Sequence, residues 1–149
     1  MSNFSGKYYY SVDPKGRVMI PAPLREIISA NYSEKLYVTI APADKCIQIY
    51  PQEEWNALME KVRGLAQSSK AVKRFRRTVI GSAVEVTMDK QGGLQVPVSL
   101  REDTGISSEI VVVGQIDKIE VWDRAEWDKA MGGPGEDDSY EAELGALGI

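Results

Sequence analysis

An internal duplication constrains the fold of this sequence more than any other feature. Residues 13–26, Asp-Pro-Lys-Gly-Arg-Val-Met-Ile-Pro-Ala-Pro-Leu-Arg-Glu, return in altered form at residues 89–102. At a constant offset of 76 positions, six of these fourteen residues are identical, and apolar residues match at Val18/Leu94. We therefore expect two copies of one structural unit, and a chain of 149 residues is long enough for both to share one core.

The first copy predicts short strands, a tight turn and short helices. Residues 7–12 are aromatic and β-branched, as in a strand, and Asp-Pro-Lys-Gly suits a turn before a second strand at residues 17–20. This pattern predicts a hairpin with Lys15 and Arg17 at its tip. The rest of the copy predicts a helix at 24–30, a hairpin at 36–40 and 46–50, and a helix from about residue 51.

The turn residues shared by the two copies are predicted to organise the backbone. Asp13 and Asp89 can accept backbone N–H bonds at the first turn position. Gly16 and Gly92 tolerate the backbone angles needed near the end of the turn. These four residues are therefore assigned to the fold.

The second copy follows the same plan, with strands at 83–88 and 94–96, a helix from about 99, and a hairpin at 110–113 and 118–122. Ser99 and Glu102 fit a capping box, and Gly105 fits a helix stop. Trp127 matches Trp55 at an offset of 72, which places a net loss of four residues between the helix and the second hairpin. Both tryptophans are expected to be packing anchors.

A basic helix is predicted between the copies. Residues 70–80 carry an apolar stripe at helical spacing, and five of the first eight residues are basic: Lys70, Lys73, Arg74, Arg76 and Arg77. A charge run of this kind is usually a solvated face, and it could pair with Glu53, Glu60 or the acidic C-terminus. Nucleic-acid binding by this helix is the alternative.

Composition removes most enzyme classes. The single cysteine, Cys46, and the absence of histidine exclude thiolate-rich zinc sites and imidazole chemistry. The sequence has no phosphate-binding loop, dinucleotide fingerprint or nucleophile elbow. We expect a non-enzyme without cofactor, metal or small-molecule substrate. Cys46 aligns with Lys118 and is expected to be a partly exposed bystander.

Charge divides the chain into a body and a tail. The net charge is −4, but the five acids beyond Lys129 leave residues 1–131 with 18 bases against 17 acids. We expect one two-repeat domain over 1–131, with repeat 1 at about 7–66, a helical connector at about 67–81 and repeat 2 at about 82–131. Residues 132–149 are predicted to be a mobile acidic tail, unless Leu144 and Leu147 order against a partner.

The N-terminus lacks the basic and apolar regions of a signal peptide, and no apolar run is long enough to span a membrane. We therefore expect a cytoplasmic protein without a membrane partner.

The doubled Asp-x-x-Gly-Arg/Gly-x-x-x-Pro-x-x-Leu-Arg-Glu motif, each copy followed by a hairpin and a Glu-Trp helix, resembles the MraZ family of bacterial transcriptional regulators. The resemblance covers about residues 4–131, and a single copy is similar to the AbrB-type swapped-hairpin modules. It implies a mainly β, α+β fold with short peripheral helices, in which two swapped-hairpin repeats form a β-barrel. It also implies a nucleoid-associated homo-oligomeric ring, an octamer or larger, bound to double-stranded operator DNA with direct repeats upstream of the division and cell-wall gene cluster.

The DNA contacts are predicted in the first copy. The Asp-x-x-x-Arg signature of the family falls on Asp13 and Arg17, with Lys15 between them, whereas the second copy has Gly93 in place of the arginine. Lys15 and Arg17 could donate to phosphates or to a guanine edge. The structural alternative is that Arg17 only pairs with Asp13.

Arg25 has a structural and a functional interpretation. It recurs as Arg101, and each arginine is followed by a glutamate, which favours ion pairs in the helix region. Backbone contact with DNA is the alternative for Arg25, which we keep with Lys15 and Arg17 as a candidate DNA-binding residue.

Two rival functions remain open from the sequence. A protein-interaction scaffold or antitoxin-like partner binder would use the body and the acidic tail to engage protein. An enzyme such as a methyltransferase is disfavoured because no glycine-rich cofactor loop follows a strand.

Overall fold

Eight strands and six α-helices form the chain over residues 3–132 and 137–149, which a computed structural model describes. The strands are β1 Lys7–Ser11, β2 Arg17–Met19, β3 Lys35–Ile40, β4 Ile47–Pro51, β5 Val84–Thr87, β6 Gly93–Gln95, β7 Glu109–Gly114 and β8 Ile119–Asp123. The helices are α1 Ala22–Asn31, α2 Gln52–Arg63, α3 Lys70–Phe75, α4 Val98–Thr104, α5 Arg124–Met131 and α6 Asp137–Ala146.

The two copies exchange strands. β1 pairs with β7, β2 pairs with β6, and β5 pairs with β3, all antiparallel. The predicted local hairpins, β1 with β2 and β5 with β6, are therefore wrong, because each Asp-x-x-Gly turn carries the chain from one sheet into the other. The swapped α+β fold that the family resemblance implies is confirmed.

The two central strands meet about a pseudo-twofold axis. In the β2–β6 ribbon, Val18 pairs with Leu94, which is its own counterpart 76 positions further along the chain. Arg17 pairs with Gln95, and Met19 pairs with Gly93. The ribbon therefore joins the two copies through equivalent residues.

The strand register shows where the second copy lacks four residues relative to the first. Tyr8 pairs with Val112, and its counterpart Val84 pairs with Val38, so β3 and β7 correspond at an offset of 74. The following strands, β4 and β8, correspond at 72. The predicted placement of all four before the hairpin is wrong, since two are lost before the hairpin and two within its turn.

The sheet does not close into the predicted barrel. Its strand order is β1-β7-β8-β4-β3-β5, and β2 with β6 forms a separate two-stranded ribbon. Within the described residues, β1 and β5 are the two edges of the larger sheet. The sheet does not close through hydrogen bonds because β2 and β6, the strands that follow the edge strands β1 and β5 in the chain, pair with each other instead.

One apolar cluster draws on both copies. Val18 and Leu94 of the ribbon, Leu24 of α1 and Leu100 of α4 are at most 4% exposed and pack in the same cluster as the inner face of the sheet. The ribbon, the two equivalent helices and the sheet are thereby fixed together, because removing any of them would return this apolar surface to water.

Proline begins the two equivalent helices. Pro21 and Pro97 are the N-cap residues of α1 and α4, and neither provides a side-chain hydrogen bond. The predicted capping box is wrong, because α4 already begins at Val98 and Ser99 lies inside the first turn. The predicted stop is confirmed, since Gly105 adopts a left-handed conformation with φ of 71°.

Helix α2 packs as its apolar stripe predicts, and the helix that follows it has one irregularity. Trp55 and Val62 of α2 are 5% exposed. The predicted helix at 70–80 is α-helical only to Phe75, after which Arg76–Ile80 forms a π-helical turn. Thr39 of β3 donates its hydroxyl to the carbonyl of Val79 at 2.5 Å, which ties this turn to the sheet.

The predicted tail is helical over Asp137–Ala146, where α6 forms. Residues 133–136, which belong to the same predicted tail, lie outside the described residues. Tyr140 is 60% exposed and Leu147 is 74% exposed, so these two side chains remain largely in contact with water, whereas Leu144 is half-buried. Among the described helices, none combines the length and the apolar character that crossing a membrane requires.

The shared core predicts a large stability loss from a change at the ribbon. Leu94→Ala should lower the free energy of unfolding by about 2–5 kcal/mol, because Leu94 is fully buried between the two copies. The control, Met131→Ala, should change it by less than about 0.5 kcal/mol, because that side chain is exposed. Urea denaturation followed by circular dichroism measures both. Equal losses in the two variants would contradict the core assignment.

Candidate nucleic-acid interface

The first turn is organised by Asp13. The carbonyl of Asp13 accepts the N–H of Gly16 at 2.9 Å. Its carboxylate Oδ1 accepts the backbone N–H groups of Lys15 and Arg17, both at 2.9 Å. Gly16 has φ of 79°, which a residue with a Cβ rarely adopts. The turn therefore needs both the carboxylate and the glycine.

The second turn has the same backbone geometry. The carbonyl of Asp89 accepts the N–H of Gly92 at 3.0 Å, and φ of Gly92 is 88°. The Asp89 Oδ1 accepts the N–H groups of Gln91 and Gly93, both at 2.9 Å. Loss of the arginine from this copy has therefore left the turn unchanged.

Arg17 joins the two turns. Its Nε donates to Asp13 Oδ2 at 2.6 Å, and its Nη1 donates to Asp89 Oδ2 at 2.7 Å. The pairing of Arg17 with Asp13, predicted above as the structural alternative, is present and extends to the other copy. The Arg17 guanidinium is thus flanked by two carboxylates, which leaves the three side chains together with a net negative charge.

Gly93 makes room for this shared ion pair. A Cβ at Gly93 would lie 2.6 Å from Asp89 Oδ2, which is the oxygen that Arg17 reaches. Any larger residue would push that carboxylate aside. The glycine that replaces the arginine therefore allows one arginine to serve both aspartates.

The hydrogen bonds of the turns lower the pKa of both aspartates. For Asp13 the main cause is the backbone N–H of Arg17, and for Asp89 it is the backbone N–H of Gly93. The guanidinium of Arg17 lowers the pKa of each carboxyl further. Both groups are ionised at neutral pH, and their charge holds the turns together.

Arg25 reaches from α1 to the second turn. Its Nη1 donates to the carbonyl of Gln91 at 2.8 Å, and its side chain lies against Gly92, where a Cβ would collide with it. The Arg25 Nε is buried and has no hydrogen-bond partner among the described residues. The α1 helix of one copy thereby supports the turn of the other.

Arg101 makes the reciprocal contact from α4. Its guanidinium lies against Gly16, where a Cβ would come within 3.0 Å of Nη2, and its Nε donates to the carbonyl of Val96 at 3.3 Å. The predicted ion pairs of Arg25 and Arg101 with neighbouring glutamates are not found in the described part of the chain. The physical reason is that each guanidinium lies against the turn glycine of the opposite copy, Arg25 against Gly92 and Arg101 against Gly16.

Lys15 and Lys90 are the outward cations of the two turns. Both are exposed, and neither pairs with a carboxylate among residues 3–132 and 137–149. Lys90 was missed because motif alignment places it opposite Pro14, although its position between Asp89 and Gly92 was a usable signal. Each turn therefore presents one lysine to solvent.

The remaining sequence candidates lie elsewhere. Cys46 is fully buried, so its predicted partial exposure is wrong, and burial raises the pKa of its thiol. The expected pairing of the basic helix with Glu53 or Glu60 is also wrong within the described residues. Glu53 accepts hydrogen bonds from Ser33, and Glu60 pairs with Arg63 at 3.6 Å.

Sequence comparison assigns the chain to a family. The profile described as "MraZ protein, putative antitoxin-like" matches residues 3–78 and again residues 79–141. The chain belongs to the MraZ family. The two matches divide the sequence close to the boundary between its two copies.

Several relatives within the MraZ family carry the name "Transcriptional regulator MraZ". The protein of Acetivibrio thermocellus is 39% identical over 129 residues, which cover 87% of each chain. That of Desulforapulum autotrophicum is 37% identical over 126 residues, covering 85% of this chain and 84% of the relative. The Marinobacter nauticus protein is 31% identical over the whole of both chains.

The shared ion pair of this MraZ family member predicts coupled titration. Arg17→Gln should raise the pKa of both Asp13 and Asp89, yet leave each below the ordinary 3.8, because the backbone donors remain. Lys15→Gln is the matched control and should move neither, since its side chain does not bond to either carboxylate. NMR titration of the side-chain carboxyl carbons measures the pKa of Asp13 and of Asp89 in each variant.

The same lowered pKa values fix the direction of the pH dependence. Stabilisation by the two carboxylates is complete above about pH 5 and is lost as pH falls below 3.8 through the folded-state values. An Asp89 pKa that Arg17→Gln leaves unchanged would contradict the bridge between the turns.

Proposed function

We propose that this chain is a sequence-specific, DNA-binding transcriptional regulator. It binds direct repeats of operator DNA upstream of the division and cell-wall gene cluster, and it acts on the nucleoid as a ring of identical chains. Membership of the MraZ family and the name "Transcriptional regulator" carried by its relatives support the general assignment. The arrangement of the two turns supports the location of the DNA contacts.

The observation that carries the proposal is the pairing of two similar turns on one edge of the molecule. Arg17 bonds to Asp89, and Gln95 Nε2 lies 3.3 Å from the carbonyl of Lys15, so the turns are neighbours. Lys15 and Lys90 then form a pair of exposed cations on a backbone that carboxylates, glycines and arginines have already fixed. A preorganised cationic edge of this kind suits the phosphates of a DNA groove.

The candidate residues have different roles in this proposal. Lys15 contacts phosphate directly, and Lys90 adds a second contact from the copy that lost its arginine. Arg17 mainly holds the turns in register, because Nε and Nη1 are engaged, while its Nη2 remains available to a phosphate or a guanine. Arg25 supports the second turn and contacts the DNA backbone with the donors that Gln91 leaves free.

A ring of chains compensates for the small number of exposed cations that each chain presents at its two turns. Phosphate binding strengthens with the number of contacts, so one chain that contacts DNA through the two turn lysines binds weakly. Several chains held together present many such edges, and simultaneous contact raises the effective concentration if operator repeats match the spacing of the protomers.

Removal of the exposed lysines should weaken DNA binding through its salt-dependent part. Lys15→Ala and Lys90→Ala should each lower the slope of log affinity against log salt by about one per protomer bound to DNA, because each lysine neutralises one phosphate. Lys129→Ala is the matched control, since this exposed lysine of α5 pairs with Glu126. The measurement is fluorescence anisotropy with the duplex upstream of the gene and with a scrambled duplex.

An unchanged slope in both turn variants would exclude the turns as the DNA interface. Absence of any binding to the upstream duplex would favour a protein-interaction function for the chain instead.

The ring predicts a defined oligomer that is needed for tight binding. Light scattering at micromolar concentration should give a mass several times that of one chain, and duplexes with one repeat should bind far more weakly than duplexes with several. A monomer with the same affinity for both duplexes would rule out avidity.

A further inference from the structure

An apolar groove runs between α2 and α3. It has a volume of about 300 Å³ and is lined by Leu58, Lys61, Val62, Leu65, Ala71, Val72 and Phe75. Leu65 is 46% exposed, and Val72 and Phe75 are only half-buried. The groove therefore offers apolar side chains to a partner and is distant in sequence from both Asp-x-x-Gly turns.

The surroundings of the groove are cationic. Lys61 lines it directly and is exposed. The wall formed by α3 and its π-helical continuation carries five more cations, which pair with no carboxylate among the residues that the structure describes. The five cations lie within eight residues, about 12 Å along a helix, and the Debye length in physiological salt is about 8 Å, so neighbouring charges act on one bound segment together.

The C-terminal segment has the complementary chemistry. Tyr140, Leu144 and Leu147 recur at helical spacing, and the helical turn continues to Leu147, whose N–H donates to the carbonyl of Glu143 at 3.2 Å. Glu141 and Glu143 are exposed, and no base lies beyond Lys129. The segment is an acidic helix in which Tyr140 and Leu147 remain exposed and Leu144 is half-buried.

We propose that the α2–α3 groove binds the C-terminal helix, residues 137–147, of a second copy of this chain. Leu144 and Leu147 enter the groove beside Leu65 and Phe75, and Glu141 and Glu143 lie against Lys61 and the basic wall. Burial of leucine side chains supplies affinity, and the opposite charges orient the helix.

A protein helix fits this groove better than DNA does. A duplex would satisfy the cations, but it has no apolar side chains with which to fill a groove lined by leucine, valine and phenylalanine. A second copy is the source because, within one chain, Leu147 remains 74% exposed while Leu65 of the groove remains 46% exposed. Exchange of tails between copies buries both surfaces and does not depend on DNA binding.

Disulfide trapping between full-length chains tests the proposal. Chains carrying Val72→Cys are mixed with tagged chains carrying Leu147→Cys and oxidised mildly, while the native Cys46 stays buried in both. The mixed disulfide should form about tenfold more than with the control Val98→Cys, an exposed position on α4, because docking raises the local concentration of the thiols.

Charge reversal provides an independent test in the same assay. Lys61→Glu should reduce trapping several-fold, and Glu141→Lys with Glu143→Lys in the tagged chain should restore it. Lys129→Glu should have no effect, and trapping should weaken as salt rises. Restoration by the paired variant shows that Lys61→Glu has not simply unfolded the protein.

Three results would overturn the proposal. Equal trapping at Val72→Cys and Val98→Cys would show that the groove does not bind the tail. A disulfide that forms only when both cysteines are in one chain would identify the chain's own tail as the occupant. Unchanged trapping in Lys61→Glu, together with weaker binding of a DNA duplex, would make this wall a nucleic-acid surface.

Discussion

The pairing of β2 with β6 is the constraint on which the rest of the structure depends. Val18 faces its own counterpart Leu94 in this ribbon, so neither copy can form its central strand pair alone. The strands before each turn are then free to pair with the hairpin of the other copy. Both Asp-x-x-Gly turns come to lie side by side, and α1 and α4 each extend an arginine to the opposite turn.

Arg17 and Gly93 occupy equivalent positions of the two copies, and the difference between them has a structural consequence. If both copies had arginine, each aspartate would have its own partner, and the space beside Asp89 would be filled. With glycine there, Arg17 bridges two carboxylates at 2.6 and 2.7 Å. Arg17, which the motif predicted as a DNA contact, thus has a structural role. The exposed positive charge of the two turns comes from Lys15 and Lys90.

Charge is distributed so that opposite signs are separated along the chain. The connector contributes an exposed basic helix, and the C-terminal segment contributes acids without a nearby base. Neither set is neutralised within the described residues, whereas the buried core is almost entirely apolar. Uncompensated surfaces of opposite sign on identical chains favour association between copies, and the groove beside the basic helix gives that association a specific place.

The sequence by itself determined the duplication, the turn chemistry and the apolar faces of the helices. These are local properties: Asp13 and Gly16 act on their own backbone, and Trp55 and Val62 share a face because of helical spacing. The family also followed from the sequence, since its motif occurs twice. A local pattern could not show which strand pairs with which, so β1 and β2 were predicted as a hairpin although their partners lie about a hundred and about eighty residues away.

Only the tertiary structure decided that Arg17 reaches Asp89, that Arg25 and Arg101 cross between copies, and that Cys46 is buried. Each of these outcomes depends on contacts between the two copies, which bring residues from distant parts of the chain within hydrogen-bonding or packing distance. Hydrogen bonds and packing form between neighbours in space, and in a swapped fold those neighbours belong to different copies of the repeat.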